Sequence, residues 1–179
     1  MKRTIVSVIT LVIGLCVATK SYTQNTQVVP SNFSSKLIGI GVVVSDIDKS
    51  LDFYVNGIGM VRTGAFKINS DFSKRSGMAN GDSAQVIMLK LENSPEANDW
   101  KLVSFGKKAT KPKQKFIQED AGVQYITLNV KALKPVIERL QKMNVPLLGS
   151  TPIQLNRTSQ IILVQDPDGT FIEIIGPME

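Results

Sequence analysis

The sequence predicts an α+β fold built from two βαβββ modules, and three observations carry that expectation. Apolar residues alternate with glycine or polar residues over short runs, the two-residue period of strands half-buried on a sheet. Two of these runs lead into apolar residues spaced three and four apart, the period of a helix. The order of strand, helix and three strands then occurs twice, as expected when one open sheet has a face that it cannot bury alone.

In the first module, residues 37–45 read as a strand, with Ile40, Val42 and Val44 alternating with Gly39, Gly41 and Val43. Ser45 or Asp46 caps a short helix whose apolar stripe is Ile47, Leu51 and Val55, extended by Phe53 and Tyr54 and stopped by Gly57. Strand-like runs follow at 60–68, 84–92 and 100–105. Segment 69–83, with Gly77 and Gly81, is long for a hairpin connection and reads either as a lid or as a variable surface loop.

In the second module a strand at 124–130 precedes a helix marked by Leu133, Val136, Ile137, Leu140 and Met143, which Asn144 can end in the left-handed conformation. Residues 146–149 start the next strand, and 160–165 and 171–175 are the third and fourth. The turn between those last two is Asp166-Pro-Asp-Gly.

Ahead of the modules, Lys2 and Arg3 precede a largely apolar run at 5–18, short for a membrane span but suited to an export signal cleaved after Ala18, with Thr23 a second choice. The expected organisation is a signal peptide at 1–18, an exposed leader rich in Thr, Gln, Asn and Ser at 19–36, and a folded domain at 37–178. That domain divides into module one at 37–106, a Lys-rich linker at 107–122 and module two at 123–178. Localisation is expected to be exported, periplasmic or secreted, with contact to a membrane only through the signal. The single cysteine, Cys16, lies inside the signal behind Leu15, a poor setting for lipid attachment, so the mature chain is expected to hold no disulfide. Its formal charge, +6 for the whole chain, drops to about +4 with Lys2 and Arg3 removed.

The chain contains no histidine, which removes Ser-His-Asp and Cys-His catalysis and His-ligated metal sites together. Lys107, Lys108, Lys111, Lys113 and Lys115 have no interleaved aromatic residues for base stacking, so they read as a solvated linker and no nucleic-acid partner is expected. Asp166, Asp168 and Gly169 lack the later ligands of a calcium loop. Gly39-Ile-Gly41 lies inside a strand rather than before a helix, and Ser104 and Lys107 lack the helical turn that a Ser-x-x-Lys dyad needs.

The opening Gly-Ile-Gly-Val-Val-Val-Ser-Asp-Ile-Asp-Lys-Ser-Leu-Asp-Phe-Tyr (39–54) and the closing Asp-Pro-Asp-Gly-Thr-Phe-Ile-Glu (166–173), set in two βαβββ modules, resemble the glyoxalase, bleomycin-resistance and extradiol-dioxygenase group, the vicinal oxygen chelate superfamily. The resemblance covers about residues 37–177 and implies two modules whose sheets curl around a shared cleft. In the family's enzymes a divalent metal sits there, held by residues of the first and last strands of each module. Carried over by motif, those positions fall on Gly39, Lys101, Tyr125 and Glu173. Only Glu173 is an ordinary metal ligand, and a lysine ammonium opposes a cation, so the expectation is no metal and no cofactor.

Alternation then gives the cleft lining, with Gly39 beside Gly41, Lys101 beside Val103, Tyr125 beside Thr127, and Glu173 beside Phe171. The leading functional expectation is an exported, metal-free protein that binds a small partly apolar molecule, comparable in type to the family's drug-sequestering members. Two alternatives stand beside it. One is an isomerase or lyase with Glu173 as general base and Tyr125 or Lys101 as acid or oxyanion stabiliser. The other is a non-catalytic interaction module, and a homodimer also stays open. Lys101 and Glu173 are expected to pair at the cleft centre, with the ammonium in the role of the missing cation.

Overall fold

The structure is a computed structural model that describes residues 32–107 and 114–179. The expected signal peptide, most of the leader and the middle of the Lys-rich linker lie outside the described residues. The folded unit comprises 35–179. Among the described residues no helix is long and apolar enough to cross a membrane.

Module one contains β1 (Gly39–Val43), α1 (Ile47–Asp52), β2 (Val61–Ile68), α2 (Ser70–Arg75), β3 (Ala84–Lys90) and β4 (Asp99–Ser104), and module two contains β5 (Tyr125–Asn129), α3 (Lys134–Lys142), β6 (Ile153–Gln154), β7 (Gln160–Gln165) and β8 (Phe171–Gly176). Each module forms a four-stranded mixed sheet, in the orders β1-β4-β3-β2 and β5-β8-β7-β6. The first strand of each pairs in parallel with the last, and the other pairings are antiparallel. This is the α+β architecture of two repeated modules that the sequence predicts.

One hydrophobic core joins the modules. It takes Val44, Phe53, Tyr54, Leu89, Trp100 and Leu102 from the first and Leu128, Leu133, Leu140, Ile162, Ile172 and Ile174 from the second. The helix-facing side of each sheet is therefore covered, while the side that carries Gly39, Gly41 and Val43 is exposed.

Asp46 rather than Ser45 caps α1, its carboxylate accepting from Lys49 N at 3.1 Å. The chain then runs past Gly57 in a π-helical turn, Phe53–Ile58, and stops at Gly59 with φ +101°. Gly57 is small for another reason: a Cβ there would lie 3.1 Å from Met143 Sδ and 3.4 Å from Leu140 Cδ2 of the second module. Arg139 on α3 closes the contact by donating to Gly57 O and Ile58 O, each at 2.9 Å.

One further expectation is corrected. Residues 146–149 form no strand; Leu148 N reaches Leu163 O, but Pro146 and Pro152 lack N–H donors, and the strand is confined to Ile153–Gln154. Segment 69–83 carries the short helix α2. Asn69 Oδ1 accepts from Phe72 N at 2.8 Å and caps α2. Asn144 does take the left-handed conformation, at φ +56°.

The Asp166-Pro-Asp-Gly turn between β7 and β8 fastens the modules together. Within the turn, Asp166 Oδ1 accepts from Asp168 N at 3.0 Å and Thr170 N at 2.7 Å. Asp166 Oδ2 accepts from the Tyr54 hydroxyl of module one at 2.8 Å. Asp168 accepts from Ser45 N, at 3.1 Å to Oδ2, and from the Ser45 hydroxyl. Burial raises the pKa of the Asp166 carboxyl above the usual carboxylate range, against the pull of the donors from Thr170, Tyr54 and Asp168. Burial also pushes the Tyr54 phenol far above its ordinary value, with the Asp166 charge adding to the rise.

Tyr54→Phe leaves Asp166 Oδ2 buried without its donor, and it should cost about 2 kcal/mol of unfolding free energy at neutral pH. The folded phenol titrates above its unfolded value of 10.0. Its contribution is therefore complete below that pH and is lost as pH rises above it. Denaturant titrations across this range should show the wild type losing stability faster than Tyr54→Phe, so that the gap between them narrows; a constant gap contradicts the assignment. Gly176→Ala would set a Cβ 2.5 Å from Val130 O, a backbone clash, and should destabilise the fold by about 3 kcal/mol in the same measurement.

Candidate functional site

In module one the cleft-facing residues lie side by side by strand register. Gly41 pairs with Lys101 and Val43 with Val103 across the parallel β1–β4 ladder, and Met88 pairs with Lys101 on the other side. The Lys101 side chain lies over Gly39, where a Cβ would meet Nζ at 3.0 Å and Cε at 3.2 Å. Gly41 is roomier, with only Val103 Cγ2 at 3.9 Å.

Module two shows the matching geometry. Tyr125 pairs with Phe171 and Thr127 with Glu173 across β5 and β8. The Thr127 hydroxyl donates to Glu173 Oε2 at 2.5 Å. Tyr125 is 47% exposed, whereas Phe171 is 1% exposed and its ring is covered. The structure thus brings Gly39, Gly41, Lys101 and Val103 together on one sheet and Tyr125, Thr127, Phe171 and Glu173 on the other.

Lys101 and Glu173 do not pair: among the described residues no ion pair joins them. Each is handled inside its own sheet, Glu173 by Thr127 and Lys101 by the space above Gly39. The carboxyl whose pKa burial raises is Asp166, in the turn between modules, and not Glu173.

A cavity of about 140 Å³ lies between the modules, lined by Ile40, Met60, Leu91 and Trp100 from the first and Ile126 and Leu128 from the second, with Asn98, Asp99 and Thr127 as its polar members. It borders β1 and β5, each an edge strand of its sheet. Of the lining predicted from sequence, Thr127 alone belongs to it. The others were legible only as residues of the opposite face, because Ile40, Trp100 and Ile126 sit at the alternate positions along the same strands. Their meeting depends on how two edge strands approach, which strand periodicity does not encode. Asp99 contributes a buried Oδ1 without a hydrogen-bond partner, 3.8 Å from Lys90 Nζ.

The residues at the family's metal positions do not fit a divalent ion. Gly39 offers no side chain, Lys101 brings an ammonium to the same place, and Glu173 stands with Thr127 and Tyr125 rather than with a second carboxylate. Among the described residues no group of three or more His, Cys, Asp or Glu could hold a metal.

Solved structures share this architecture. A glyoxalase family protein from Bacillus cereus superposes with a TM-score of 0.70 at 15% identity, over 84% of this chain and 99% of that one. A glyoxylase/bleomycin resistance protein/dioxygenase domain from a Frankia species gives 0.58 at 17% identity, over 81% and 93%. The trypanothione-dependent glyoxalase I of Leishmania major gives 0.56 at 18% identity, over 80% and 87%. No match is found among the curated proteins. The family model described as glyoxalase/bleomycin resistance protein/dioxygenase superfamily matches residues 36–174, nearly the whole of the two modules, and the chain belongs to that superfamily.

Proposed function

We propose that this protein is exported and that it binds a small, partly apolar molecule between its two modules without the help of a metal ion. The observation that carries the reading is the cavity of about 140 Å³ with walls from both modules, apolar on most sides and bordered by a few polar groups. That is the make-up of a small-molecule site, in which apolar walls supply affinity and sparse polar groups set orientation. Its size suits a single aromatic ring or a short aliphatic body, since an engineered apolar cavity of about 150 Å³ takes up benzene. Metal-free binding is supported by the donor chemistry at Gly39, Lys101, Tyr125 and Glu173. Export is supported by the charged start at Lys2 and Arg3 and the short apolar run that follows.

Native mass spectrometry of the exported protein should find a co-purified organic molecule and no stoichiometric transition metal. Zinc, iron, manganese or nickel bound one to one and lost in Glu173→Gln would overturn the metal-free reading. N-terminal sequencing should begin just after Ala18; Met1 retained in a membrane fraction would count against export.

A further inference from the structure

The cavity between the modules is short of one hydrogen bond. Its polar members are Asn98, Asp99 and Thr127, and two of them are already engaged. Thr127 donates its hydroxyl hydrogen to Glu173 Oε2, and Asn98 Oδ1 accepts from Ile38 N at 3.0 Å. Asp99 differs. Its Oδ1 is buried and has no hydrogen-bond partner. The Lys90 ammonium stands 3.8 Å away, beyond hydrogen-bond reach, and donates instead to Ser94 O at 2.9 Å. A carboxylate oxygen withdrawn from water without a donor is costly, so a donor brought by another molecule counts for most at this place.

Asp99 also stands where a ligand can meet it. It is the first residue of β4 and pairs with Gly39, the first residue of β1. There it gives a polar border to walls made by Ile40, Met60, Leu91, Trp100, Ile126 and Leu128. With Oδ1 sealed, the 31% of the side chain that stays exposed belongs to its remaining atoms. A donor in the cavity therefore meets Oδ2 directly, and Oδ1 after rotation about the soft terminal torsion of the side chain.

Charge then decides the ligand class. An anion would have to lie beside the Asp99 carboxylate. A cation meets Lys90 at 3.8 Å from Oδ1 and Lys101, whose ammonium lies over Gly39, the ladder partner of Asp99. Two ammonium groups thus already attend one carboxylate, and a third would lose its hydration among apolar walls. What the carboxylate lacks is a hydrogen, not a charge.

We propose that the cavity takes a neutral molecule, a single ring or short aliphatic body with one O–H or N–H group, and that the Asp99 carboxylate accepts that hydrogen. The proposal rests on the reading that the space between the modules binds a small molecule.

The test uses three probes of one shape: benzyl alcohol, benzylammonium and ethylbenzene, which offer a neutral donor, a charged donor and none. Trp100 is the only tryptophan and lines the cavity, so its fluorescence reports occupancy. Wild-type protein should bind benzyl alcohol more tightly than benzylammonium. Asp99→Leu, which keeps the bulk and removes the acceptor, should weaken benzyl alcohol about tenfold and leave ethylbenzene no weaker. Asp99→Asn keeps a neutral acceptor and should weaken the alcohol about threefold. Ile126→Phe, which fills the cavity, should weaken all three probes. Tighter binding of benzylammonium than of the alcohol, or an alcohol affinity that both Asp99 variants leave unchanged, overturns the assignment while the small-molecule reading stands. If Asp99→Leu loses ethylbenzene as well, Asp99→Asn decides, and an unchanged alcohol affinity there overturns the assignment. If no probe perturbs Trp100, or Ile126→Phe affects none of them, the cavity reading falls and this inference falls with it.

Discussion

The arrangement of the two modules turns on one buried hydrogen bond, from the Tyr54 hydroxyl to Asp166 Oδ2. Both groups are buried, at 0% and 5% exposure. A lone carboxylate in such a place is costly, and this one is tolerable because it accepts from Tyr54 on one oxygen and from two backbone N–H groups on the other. The turn that shapes Asp166 also aims Asp168 at Ser45, at the mouth of α1. One four-residue turn thus fixes the start of α1 and the tyrosine that follows it to the end of β7. Arg139 fixes the other end of the same helical segment. With both ends held, the edge strands β1 and β5 border one cavity rather than two separate surfaces.

Much of this was legible because the controlling signals were local. Strand alternation placed Ile40 and Val42 against the core, the three-four spacing placed Val136 and Leu140 there, and Asn144 fell where a helix end needs a left-handed residue. The departures arise in part from residues that serve a distant partner. Gly57 reads as a helix stop but is small to admit Met143 and Leu140 from α3. Of the two cap candidates, Asp46 caps α1 and Ser45 gives its hydroxyl to Asp168. Residues 146–149 carry strand-like apolar content, yet the proline at 146 removes a ladder donor and a single backbone bond to β7 is what remains.

The candidate site divides the same way. Which residues share a face followed from the two-residue period, so the grouping of Lys101 with Val103 and of Thr127 with Glu173 was available from sequence. The pairing of Lys101 with Glu173 was not, because it required the two sheets to present their last strands to each other. In the fold each charge settles locally. Threonine is the residue across the parallel ladder from Glu173, and its hydroxyl satisfies the carboxylate within the sheet. Glycine is the residue beneath Lys101, and the lysine lies across it.

These local solutions bear on chemistry. Glu173 retains a carboxylate but spends one oxygen on Thr127, while Lys101 has no ion-pair partner among the described residues. In a chain without histidine, the polar side chains that line the cavity are those of Asn98, Asp99 and Thr127, among walls of isoleucine, methionine, leucine and tryptophan. Such walls bind by excluding water, and the sparse polar groups among them orient what they hold.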